Sequence, residues 1–183
     1  MWMHVFSTFT WTKIPFAMYH PLLLSLGMYA LAQGIFALQR VSSPAARKQR
    51  LEMHEMLMLG AALPLLTGGA WIMWHMHALP GRQHFISIHG TLGVVLVALV
   101  WMQTLFGAST VWFQSLFYGT ELRARFMYRY HRAFGYALGL LLILELLLAF
   151  WETQWMAQTA RTSLLVLLSA AVLVTAAGFA MRV

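Results

Sequence analysis

Histidine is the side chain in this sequence best equipped for chemistry, and eight of them are many for so apolar a chain. Four, His20, His54, His89 and His131, stand at or near the starts of long apolar runs. A neutral imidazole can give one ring nitrogen to a metal while the other donates a hydrogen bond. Two such rings on facing helices can fill the two axial positions of an iron porphyrin. A single helix-end histidine is more often a hydrogen-bonded interfacial residue. Several polar rings at matched depth in hydrocarbon are expensive, and that favours a functional reading over coincidence.

The elements that must carry these rings are membrane spans. The chain has 183 residues, 61% hydrophobic and only 9% charged, against about a quarter charged in a soluble domain. A spanning helix needs about 20 mainly apolar residues. Five stretches qualify, near Phe16–Leu38, Leu51–Trp74, His84–Phe106, Tyr128–Phe150 and Ser163–Met181. Backbone groups in lipid must bond internally, so these are helices. Ser42-Ser43-Pro44 and Leu79-Pro80-Gly81 break the first two connections. Residues 107–127 form the longest link, from Gly107 to the charged run Glu121 to Arg125. Residues 1–183 read as one transmembrane domain without a cleavable leader: residues 1–12 have no basic n-region and no small-residue cleavage site.

Charge orients the spans. On the side where the second and fourth spans begin lie Arg40, Arg47, Lys48, Arg50, Arg123, Arg125, Arg129, Arg132 and Arg182; the other side has Lys13, Arg82 and Arg161. The nine-to-three bias makes the first side cytoplasmic, or its organellar equivalent. The expected setting is a bacterial inner membrane or an organellar membrane, with the N-terminus non-cytoplasmic and the C-terminus cytoplasmic. Trp11, Trp71, Trp74, Trp151 and Trp155 would form the aromatic belt of the non-cytoplasmic side. The net charge of +7 then reflects topology and lipid headgroups, not nucleic acid. The absence of cysteine excludes disulfides, Fe–S clusters, thiolate ligation and haem attached through cysteine.

Successive spans alternate in direction. His20 and His89 therefore fall near one face and His54 and His131 near the other, each about one turn inside its helix. That layering suits two bis-imidazole haems, and small residues on the ligand faces would make room for them. Gly27 and Gly34 follow His20 in seven-residue steps, as Ala61 and Gly68 follow His54; Gly93 and Gly135 come four residues after His89 and His131. Such small residues equally serve plain helix packing. Ligands one turn from each end of a core about 30 Å thick would set the irons roughly 20 Å apart.

Glu145 lies fourteen residues after His131, on nearly the same helix face. It could be structural, relay a proton, or hydrogen-bond a ligand imidazole. His75, His77 and His84 cluster in the second connection. They could contact a metal or haem propionates, but an interfacial loop with polar histidines explains them more simply. His4 is uninformative, and the thirteen methionines look like flexible packing.

Four stretches resemble the cytochrome b561 family of transmembrane di-haem oxidoreductases. They are Tyr19-His20-Pro21-Leu22, in a span ending Ala37-Leu38-Gln39-Arg40; Leu51-Glu52-Met53-His54; Ser87-Ile88-His89-Gly90-Thr91-Leu92-Gly93, followed by Gln103 and Gly107; and Tyr130-His131 with Gly135. The resemblance covers residues 16–150. It implies two haems b, ligated by His20 with His89 on the non-cytoplasmic side and by His54 with His131 on the cytoplasmic side. It also implies ascorbate as a common cytoplasmic donor, and monodehydroascorbate or ferric iron as acceptor. Arg40 matches a basic donor-binding position of the family, whereas Arg50 and Arg129 each stand one residue away from theirs. Ile88-His89-Gly90 replaces a typical Leu-His-Ser, and the span that usually precedes the first ligand helix has no counterpart in residues 1–15.

The fold expected is all-α: an antiparallel four-helix di-haem core over residues 16–150, with a fifth helix, 163–181, packed outside it. The function expected is transmembrane electron transfer from an ascorbate-like or quinol donor to an acceptor on the opposite side. One alternative is a haem b-carrying subunit of a larger respiratory complex exchanging electrons with quinone. Another is a structural membrane subunit without a redox role. Partners would be lipid, a small-molecule donor and, in the bound state, a second copy or a larger complex.

Overall fold

The computed structural model describes residues 14–38 and 43–152. Those residues are helical apart from short turns. A single 3-10 turn, Phe16–Met18, leads into α1, Tyr19–Ala37. The second span is α2, Pro44–Leu57, then one π-helical turn, Met58–Ala62, then α3, Leu63–His77. The third is α4, Ile88–Val111; a short helix, α5, Gln114–Tyr118, leads to the fourth, α6, Glu121–Glu152. Four segments are long and apolar enough to cross a membrane: Phe16–Ala37, Pro44–His77, Ile88–Val111 and Glu121–Glu152. The predicted fifth span, 163–181, lies outside the described residues.

The helix starts have local causes. Ser43 accepts a hydrogen bond on its side chain from the Ala46 N–H, 3.2 Å, and Pro44 occupies the first turn, where a missing N–H does no harm. Ser87 does the same for α4, accepting from the Gly90 N–H at 3.0 Å. Such caps are typically worth about 1 kcal/mol. The π turn stands immediately before the Leu63-Pro64 step. Pro64 has no N–H for the Gly60 carbonyl, and the backbone loosens there rather than breaking. Gly119, with φ 72°, ends α5 in the left-handed region that suits a residue without Cβ.

Three sequence expectations need correction. Ser43-Pro44 is a helix start, not only a break, so the second span begins seven residues before Leu51. The third begins at Ile88, after the Ser87 cap, and leaves His84 in the connection. The link after the third span is also far shorter than residues 107–127: α4 runs through Gly107 to Val111, and the charged run Glu121 to Arg125 is already helical. One glycine costs a helix only about 1 kcal/mol, too little to end one whose backbone must otherwise bond internally.

The chain divides into two compact units. The second is Ser87–Glu152; the first takes, among the described residues, 14–38 and 43–86. Each is an antiparallel helical hairpin. In the first, Gly27 lies against Leu66, and Gly34 against Leu57 and Met58. A Cβ on Gly27 would come within 2.9 Å of the Leu66 side chain, and one on Gly34 within 2.9 Å of Met58 Cε. These glycines thus let α1 and its neighbour approach closely. In the second hairpin His89 lies level with Glu145 and Glu152, and Gln103 with His131. Most large apolar side chains that remain exposed, among them Tyr29, Trp101, Leu105 and Leu140, project from the helical spans, as expected where the solvent is hydrocarbon. Trp71, Trp74 and Trp151 are exposed at span ends, in keeping with an interfacial belt.

Candidate functional site

In the first hairpin the two predicted ligands are held by reciprocal contacts. His20, on α1, donates from Nδ1 to the Gly69 carbonyl of α3 at 2.8 Å. His54, on α2, donates from Nδ1 to the Gly34 carbonyl of α1 at 2.9 Å. Each ring is half-buried and reaches across to a glycine carbonyl of the opposing helix. A carbonyl only accepts, so the Nδ1 of each ring must carry the proton. In the neutral imidazole Nε2 is then a bare lone pair. The glycines are part of the device: a Cβ on Gly69 would sit 2.7 Å from Leu24 Cδ2 and 3.3 Å from the His20 carbonyl oxygen.

The second hairpin orients its histidines with side chains. His89 Nδ1 lies 2.6 Å from Glu145 Oε1, and the His89 backbone N–H donates to Glu152 Oε2 at 2.9 Å. Glu145 is 8% exposed, a buried carboxyl in an apolar hairpin. Of the three roles open to Glu145 from sequence, the hydrogen bond to an imidazole comes nearest: the carboxyl touches the His89 ring, though without an aligned hydrogen bond among the described residues. Glu152, seven residues on and so on the same face of α6, was not anticipated; that spacing was its one visible signal.

His131 is surrounded by Gly107, Phe106 and Tyr128. A Cβ on Gly107 would fall 2.7 Å from the ring's Cε1. Phe106 meets the ring edge-on with centroids 5.9 Å apart, and Tyr128 stacks at 6.1 Å. Gln103 Nε2 donates to the His131 carbonyl at 2.6 Å. Gln103 and Gly107 entered the sequence reading only through resemblance; their physical tasks are to pin the backbone of His131 and to admit its ring.

Two expectations about site geometry are revised. His20 and His89 are each the second residue of their helices, but His54 and His131 lie ten residues beyond the starts of α2 and α6. The preceding turns carry the basic residues, so these two rings mark the boundary between a charged overhang and the apolar stretch. The small residues also have other duties than expected. Gly27 and Gly34 receive side chains of their own hairpin, Gly93 admits Glu145, and Gly135 admits Gln103, whose Nε2 would be 2.9 Å from a Cβ there. Among the described residues, a Cβ on Gly68 would meet only Leu23 Cδ1, at 3.9 Å.

A family profile described as eukaryotic cytochrome b561 matches residues 19–157, most of the chain. The chain belongs to the cytochrome b561 family. No curated protein matches it, and no solved structure does. As a cytochrome b561-family chain it is an integral membrane protein of the transmembrane oxidoreductase kind, in contact with lipid, in a family that binds haem b and uses small-molecule electron donors.

The residues fit such a group. Haem iron asks the protein for only two axial donors. Among the described residues no cluster of three or more histidine, cysteine or carboxylate side chains could hold a bare metal ion. In the rings of His20 and His54 a proton held at Nδ1 makes Nε2 the nitrogen with the lone pair, the kind of donor that haem needs. Hydrogen bonding of this second nitrogen is the usual support of a ligating imidazole.

Of the family-implied basic residues, Arg40 lies outside the described residues. Arg50 is exposed on the charged part of α2. Arg129 is exposed too, and its guanidinium is engaged: it lies 3.6 Å above the Phe126 ring and donates to the Tyr130 hydroxyl at 2.8 Å. Of the three histidines expected in the second connection, His75 and His77 lie in the last turn of α3 and His84 alone in the connection, because the helix runs on to His77. His77 Nδ1 donates to the Gln83 carbonyl at 2.8 Å, His84 packs on Trp74 with centroids 4.3 Å apart, and His75 stacks on Trp71. These contacts tie the three rings to the end of the span and its connection.

Proposed function

We propose that this cytochrome b561-family chain moves electrons across the bilayer through two haems b, one held by His20 with His89 and the other by His54 with His131. The first pair lies toward the non-cytoplasmic face and the second toward the cytoplasmic face. The setting is an antiparallel four-helix core with helix 163–181 outside it. The N-terminus is non-cytoplasmic and the C-terminus cytoplasmic.

The observation that carries this reading is the state of the imidazoles. Two rings from one hairpin have Nδ1 committed to carbonyl oxygens, which orients them and makes Nε2 the nitrogen with donor character. When bound, haem b supplies a one-electron centre. The protein's own work is to hold the His20 and His54 imidazoles in one tautomer, to admit the His131 ring beside Gly107, and to surround the rings with apolar helix that excludes water. The nine-to-three distribution of basic residues supports the topology.

On the cytoplasmic side the donor is a small reductant, ascorbate-like or a quinol. Arg129 bears on the choice. Its guanidinium is already stacked on Phe126 and bonded to Tyr130, which reduces what it can offer an anion. That favours quinol, and with it the second reading, a haem b-carrying subunit of a larger respiratory complex. Purified protein titrated anaerobically with ascorbate and with quinol, together with a pyridine haemochrome count, tests the proposal. Two haems per chain, both reducible, are expected. A protein purified from haem-replete cells without a Soret band would return it to a structural role.

A further inference from the structure

The two hairpins do not treat their imidazoles alike. In the first, Nδ1 meets neutral backbone carbonyls; in the second, His89 Nδ1 meets a carboxylate. We propose that Glu145 is a positioning residue for His89, which it holds as an Nδ1-protonated ring with a strengthened Nε2 donor, so that the haem held by His89 has a lower reduction potential than a neutral partner would give it. The inference rests on the haem reading above.

Several observations converge on Glu145. Its carboxyl is buried, where an unpartnered charge would be strongly destabilising. Among the described residues neither of its oxygens has an aligned hydrogen-bond partner; the polar group in contact with it is the His89 ring, 2.6 Å away. The helix has made room for it, since a Cβ on Gly93 would lie 3.0 Å from Oε1. Glu152, one heptad further along α6, holds the backbone N–H of the same histidine. That N–H belongs to the first turn of α4 and lacks an intrahelical acceptor. Two carboxylates on one face of α6 therefore address one residue, Glu145 its ring and Glu152 its main chain. With the main chain held, the ring's remaining freedom is rotation about its own bonds, and Glu145 stands where it limits that freedom.

The chemistry follows from charge. A ligating imidazole whose other nitrogen faces an anion is a more basic ligand than one facing a neutral dipole. Negative charge beside the ligand favours the oxidised, more positive iron, and at low effective dielectric it acts strongly. The Nδ1 contacts of His20 and His54 are to neutral carbonyls instead.

The test is potentiometric titration of the purified holoprotein in E145Q and E145D. Glutamine keeps an oxygen acceptor of the same reach and removes the charge. In E145Q both haems should remain, and one midpoint should rise by at least a tenfold change in the one-electron equilibrium, about 59 mV, while the other stays fixed. E145D keeps the charge and should restore much of the shift. The affected haem is identified by repeating E145Q in H54A, where the shift should persist, and in H20A, where the surviving haem should not respond. Two haems with unmoved midpoints in E145Q, or a shift of the His54 haem, would overturn the proposal. If E145Q loses a haem, E145D must retain it; equal loss in both makes the requirement one of size and also overturns it. Wild-type protein with no haem would instead refute the ligand assignment itself.

Discussion

The two helical hairpins solve one problem, orienting a histidine ring within an apolar span, by different means. The first borrows helix carbonyls: His20 uses Gly69 and His54 uses Gly34, across a seam where glycines let the backbones approach. The second commits side chains: Glu145 and Glu152 to His89, Gln103 to His131, with Gly107 making room for the ring. A carbonyl held by its own helix is a fixed, neutral acceptor that substitution cannot remove without moving backbone. A side chain can carry charge and can be exchanged singly. The first hairpin should therefore be sensitive chiefly to glycine replacement, and the second to polar replacement as well as to replacement of Gly107.

The comparison can be broken most decisively at the ligands. His54→Ala should abolish one haem and leave the spectrum of the other largely intact, as read by haemochrome count and difference spectra. Loss of neither would refute the assignment. Next in size is Gly107→Ala, whose new methyl would collide with the His131 ring at 2.7 Å. The ring must shift, so haem content or the midpoint of the His54/His131 haem should change, while the His20/His89 haem stays as it was.

Gly69→Ala sharpens the contrast from the other side. Its methyl would press on Leu24 and the His20 carbonyl, and overpacking of this kind typically destabilises by about 1–3 kcal/mol. Thermal unfolding in detergent should show the loss. Occupancy by the His20 haem should fall with it, without the change in midpoint that a charge substitution produces. Gln103→Leu removes a neutral donor from the His131 carbonyl and should cost about 1 kcal/mol. Smallest and furthest from either site, Ser43→Ala removes the cap of α2 for about 1 kcal/mol of stability and should leave both haem spectra unchanged.

Much of this was legible in the sequence because it depends on local quantities. Four described spans follow from runs of apolar residues, since length and hydropathy alone decide what crosses a bilayer. The four histidines stood out because imidazole is rare and expensive in such runs. The span ends were less legible. Ser43-Pro44 has the same composition whether it breaks a chain or caps a helix, and Gly107 looks like a break until α6 is seen against it.

The sequence by itself determined that the chain is helical and membrane-spanning, and which imidazoles lie near which ends of the spans, because each of these is set by residues adjacent along the chain. Only the tertiary structure decided what touches those imidazoles. Gly69 is 49 residues from His20, and Glu152 is 63 from His89. Such pairs are chosen by how two helices approach and rotate about each other, and that depends on the summed packing of a whole seam rather than on any short stretch of it.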